Sequence, residues 1–176
     1  MQSFDGRATF VFSQARERIL EDCQHMHADH SAKGRLGSGS TAKQAVAIFQ
    51  TRMSEALCQV LEEVSKLIEH RGKAWNDAMA AISRALETEL SRANDLLAPS
   101  FKLARIDGPS ADRAVRDLID KAGSDLRAEV NGFKEGWTSP QPKRWPERNP
   151  VPYAIMLLAA GSIIGWIITQ LMGNVP

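Results

Sequence analysis

Residues 42–71 read AKQAVAIFQTRMSEALCQVLEEVSKLIEHR, and their large apolar side chains Val46, Phe49, Met53, Leu57, Val60, Val64 and Leu67 advance by 3, 4, 4, 3, 4 and 3. Such spacing puts them on one seam of an α-helix near the heptad period, with Leu61 and Ile68 widening it. After Gly72 a second run, Trp75, Met79, Ile82, Leu86, Leu90, Ala93 and Leu97, steps by 4, 3, 4, 4, 3 and 4. The whole of residues 42–98 therefore forms a coiled-coil-like helical region. A single glycine costs a helix about 1 kcal/mol, which is too little to force a turn, so the expectation is one rod of about 55 residues and roughly 80 Å. An antiparallel hairpin broken at Gly72 is the alternative, and Pro99 closes the region in either case.

Moving toward the N-terminus, residues 1–41 hold a first helix and a glycine/serine linker. Over residues 10–30, Phe12, Ala15, Ile19, Cys23 and Met26 make one narrow apolar stripe. The linker SAKGRLGSGST, residues 31–41, ends in a helix N-cap at Ser40 or Thr41. It lacks the Lys-Ser/Thr pair and the preceding apolar strand of a phosphate-binding loop. Three of the four histidines crowd into CQHMHADH, where Cys23, His27 and His30 share a helix face at i, i+4 and i+7. That geometry suits zinc or copper, but no fourth ligand is evident, and the weaker metal reading is set against a favourable interaction of histidines with a helix C-terminus. No cofactor is expected, and no nucleophile motif points to an enzyme.

Toward the C-terminus, residues 99–137 form a loop and an amphipathic helix. Asp107-Gly108-Pro109 is a strong breaker, and the helix starting near Ser110 carries Val115, Leu118, Ala122, Leu126, Val130, Phe133 and Trp137 on one face. Arg113 with Asp117, Arg116 with Asp120, and Asp117 with Lys121 are opposite charges at i,i+4. Residues 138–150, with prolines at 140, 142, 146 and 150, read as a semi-rigid extended spacer.

Residues 151–172, VPYAIMLLAAGSIIGWIITQLM, contain no charged residue. At ~1.5 Å per helical residue they reach about 33 Å, enough for the ~30 Å hydrocarbon core of a bilayer, and a transmembrane helix is expected. Lys134, Lys143, Arg144 and Arg148 precede it, which predicts a cytosolic N-terminal part in a single-pass, tail-anchored protein of the bacterial inner membrane. Gly161 and Gly165, with Ala154 and Thr169, form a small-residue face suited to helix dimerisation.

Composition agrees with one modest all-α domain: aromatic residues are 6% and charged residues 24% of 176. Two cysteines are too few for a disulfide framework, and a net charge of +1 argues against a dedicated nucleic-acid binder. The expected function is a tail-anchored membrane protein whose cytosolic helices bind or organise protein partners through their seams, as a possible homodimer. The layout of polar amphipathic helices followed by one late span is similar to that of small accessory proteins of bacterial plasmid mobilisation and conjugation. That resemblance implies a DNA-relaxing enzyme's complex or a transport channel as partner. A membrane-active effector is the other alternative.

Overall fold

The computed structural model describes residues 4–106 and 108–138. The chain divides into the units Met1–Ser139 and Pro140–Pro176, and the second lies outside the described residues. Outside the described residues too lie the expected spacer after Thr138, the apolar run 151–172 and the Gly161/Gly165 face. Among the described residues no helix is long and apolar enough to cross a membrane.

The described residues form an all-α fold of four helices, α1 Phe4–Ala32, α2 Gly39–Leu67, α3 Lys73–Leu103 and α4 Pro109–Gly136. Polar pairs between helices give their directions. Arg7 with Glu63 and Arg52 with Asp22 align α1 and α2 antiparallel. Arg16 with Glu89 and His27 with Ser100 set α1 parallel to α3. Gln50 with Asp125 and Ser54 with Glu129 set α2 parallel to α4, while Arg127 with Glu87 sets α4 against α3. The result is an up-down-up-down bundle in which α2 and α3 meet across the middle and α1 and α4 do not touch.

The apolar stripes read from the sequence meet inside this bundle. Phe12, Ile19, Phe49, Met53, Leu57, Ile82, Leu86, Leu97 and Leu126 are fully buried. Each contributes about 1.5–3 kcal/mol by leaving water, far more than any helix propensity or surface ion pair in the same segments. Ala42, Ala45, Ala78, Ala93 and Ala122 fill the tight spaces between them and are also buried.

The expected rod is not what forms. At Ile68 the backbone turns extended, and Gly72 lies just before α3, so the two long seams fold onto one another as a hairpin. Packing decides this: a rod would leave both seams in water, whereas the hairpin hides them and brings Ile68 itself into the core. The φ of Gly72 is −164°, extended backbone open to any residue, so the break does not depend on glycine. Leu67, expected on the seam, is 69% exposed, because the helix ends there and the chain swings Ile68 inward instead.

Four smaller expectations also change. The N-cap of α2 is Ser38 rather than Ser40 or Thr41, and the helix already runs from Gly39. α1 begins at Phe4 rather than Phe10, since buried Ala8 and Phe4, packed against the core, carry its stripe further toward the N-terminus. Pro99 lies within α3 instead of closing it. Proline removes one helix hydrogen bond, but the final turn is held by tertiary contacts of buried Leu97, Ser100 and Ala104. On α4 the expected pairs Arg113–Asp117, Arg116–Asp120 and Asp117–Lys121 are not formed; Lys121 pairs with Asp125 and Arg127 reaches Glu87 on α3.

Candidate functional site

Cys23, His27 and His30 do share one face of α1, and that face is turned onto neighbouring helices. His27 Nε2 is hydrogen-bonded to Ser100 Oγ at 2.9 Å. His30 is buried, with Nδ1 2.8 Å from Thr41 Oγ1 and Nε2 3.0 Å from Gln44 Oε1. Cys23 is a free, buried thiol on the same face. Burial raises its thiol pKa, and burial followed by the nearby His30 lowers that of His27, so both neutral forms are favoured. Among the described residues no group of three or more His, Cys, Asp and Glu side chains is placed to hold a metal ion. Chemically the face works as a polar latch between α1, the start of α2 and the end of α3.

The glycine-rich linker is part of the same latch. Thr41 Oγ1 donates toward the carbonyls of Arg35 and Leu36, and Arg35 N–H bonds the His30 carbonyl, closing the end of α1. Gly34 at φ 65° supplies the left-handed residue that this helix terminus uses. Beside it, Arg105 packs against Gly37, so the loop after α3 lies next to the loop after α1. The two loops make one end of the bundle, and Lys33, Arg35, Lys102 and Arg105 belong to it.

At the opposite end Arg71 closes α4. Its guanidinium donates to the carbonyls of Lys134, Glu135 and Trp137, which have no partner within their own helix. It also stands 6.0 Å over the ring of Trp75, which stacks on Trp137 at 4.2 Å and on Phe133 at 5.7 Å. Sequence reading placed Trp75, Phe133 and Trp137 on core faces but missed Arg71, whose role depends on the hairpin turn that was only the alternative to the rod.

Apart from Leu67 and the half-buried Leu90, the seam residues of α2 and α3 are covered by the chain's own helices, so the surface left for other molecules is different from the one anticipated. Among the described residues, a set of open concavities runs between α3 and α4. Near their connected ends lies a groove of about 520 Å³ whose lining includes Phe101, Lys102, Ile106, Val115 and Arg116. An adjoining hollow of about 350 Å³ is lined by Gly108, Pro109, Asp112, Arg113 and Arg116. Phe101 and Ile106, on the loop side of Pro99, offered no periodic signal, which is why the sequence did not single them out. Comparisons with protein-family models, curated proteins and solved structures found no match.

Proposed function

We propose that this chain is an interaction module held at a membrane, in which residues 151–172 cross the bilayer and the four-helix unit offers a binding surface to protein partners on the cytosolic side. The observation that carries the reading is the charge-free run 151–172, long enough for a bilayer, following a helical unit whose own apolar faces are already buried. The basic residues Lys134, Lys143, Arg144 and Arg148 ahead of the run support the cytosolic placement. Burial of the α2 and α3 seams weighs against a membrane-active effector, since insertion of those faces would first require the bundle to open.

Fractionation tests the reading. The full chain should sediment with membranes and resist carbonate extraction, and deletion of residues 151–172 should release it to the soluble fraction. A full chain recovered in the soluble fraction would overturn it. In inside-out vesicles the helical unit should be digested by added protease, and protection there would reverse the proposed orientation.

A further inference from the structure

We infer that the groove between the end of α3 and the start of α4 receives an acidic, amphipathic segment of a partner protein. This deepens the reading of the chain as an interaction module but does not depend on the membrane run. Phe101 and Ile106 form an incompletely buried apolar floor with Val115, the residue types that hold the apolar stripe of a docked helix. Lys102, Arg113 and Arg116 stand along the rim, exposed, and none of them is ion-paired among the described residues. Among the described residues of this lining the acid is Asp112, against Lys102, Arg113 and Arg116. The excess of positive charge selects an acidic ligand, and the apolar floor selects a side-chain-bearing peptide over a bare phosphate backbone. The chain's own residues 139–176 do not match the rim: they carry Lys143, Arg144 and Arg148 against the single acid Glu147.

The probe is a fluorescein-labelled synthetic peptide built from repeats of leucine and glutamate in helical register, titrated with the full chain in mild detergent. Its anisotropy should rise with micromolar affinity at low salt and weaken as salt is added. The double variant Lys102→Glu, Arg116→Glu should lose about tenfold in affinity for this peptide and gain affinity for a counterpart with lysine in place of glutamate. The exchanged preference keeps the result separate from misfolding, because an unfolded variant would bind neither selectively. Binding that is indifferent to both substitutions would overturn the inference, as would absence of binding at low salt. So would transfer of the charge-dependent binding to phosphatidylglycerol vesicles or a DNA duplex, or to a second copy of the chain, with the peptide inert. Membrane fractionation is read independently, so failure of the groove and failure of the membrane reading are distinguishable.

Discussion

Ser100 Oγ lies 2.9 Å from His27 Nε2, one residue past a proline inside α3, and ties the last turn of that helix to α1. Burial and the neighbouring His30 hold the His27 pKa below its ordinary value, so the folded chain takes up a proton less readily than the unfolded one. In the window just below about pH 6.5 the unfolded state binds more protons, and stability therefore rises with pH through that window and is complete above it. Chemical denaturation of the wild type should show this rise, and His27→Gln should flatten it. An unchanged slope in the variant would remove His27 as its source.

Two carboxylates give a second, lower transition. Hydrogen bonds from Arg7 and Arg127 hold Glu63 and Glu87 below the ordinary carboxylate range. Their contribution is present above about pH 4.3 and is lost as pH falls through their folded-state values. Both pairs lie near the surface, so added salt should blunt this part of the acid unfolding curve more than the His27 part. Equal salt sensitivity of the two regions would contradict the assignment.

Glu89 is 7% exposed in its side chain and is met by Arg16 at 3.0 Å and Arg92 at 3.5 Å. Arg16→Met should destabilise by about 1–3 kcal/mol, less than for a fully enclosed pair because Arg16 still reaches water. Adding Glu89→Leu should recover most of that loss, measured as a double-mutant cycle in urea. Additive losses in the double variant would show that the two side chains do not act together.

Gly72 and Gly108 both precede a helix but differ in backbone. Gly72 is extended, whereas Gly108 has φ 111°, a region that side chains rarely adopt. Gly72→Ser should leave stability unchanged or raise it by a few tenths of a kcal/mol through capping. Gly108→Ala should cost about 1–3 kcal/mol. Thermal melts of the two variants check the contrast, and equal effects would refute it.

Leu57 and Val60 lie on the seam expected to meet a second chain, and both are buried inside the bundle. Leu57→Ala should therefore lower stability by about 2–5 kcal/mol at any protein concentration. A loss that disappears as the concentration is raised would instead mark a seam shared between chains.

The helical period made the all-α class and most of the core legible: Phe12, Phe49, Met53, Ile82 and Leu126 fell on the predicted faces and are buried. What sequence could not weigh was the gain from closing α2 onto α3. A helix penalty of about 1 kcal/mol at one glycine is small beside two apolar seams left in water, so local propensity pointed to a rod and packing gave a hairpin. Pro99 failed as a stop signal for the same reason. The spacing of Cys23, His27 and His30 was read correctly as a shared face, but only the approach of Ser100, Thr41 and Gln44 shows that the face is occupied by protein partners. The α3–α4 groove was invisible because it comes from a pair of helices that pack loosely, a property of no single segment.

The Arg71 contacts also bear on how α4 would respond to being pulled. Tension entering the described residues through Thr138 meets first Trp137, stacked on Trp75 and hydrogen-bonded through its carbonyl to Arg71 at 2.8 Å. A helix peels easily when its last turn is loose; here the last turn is fastened to the connection between α2 and α3. Strain would thus be handed to the two helices that cross the middle of the bundle before α4 could unzip, making that corner a mechanical anchor point.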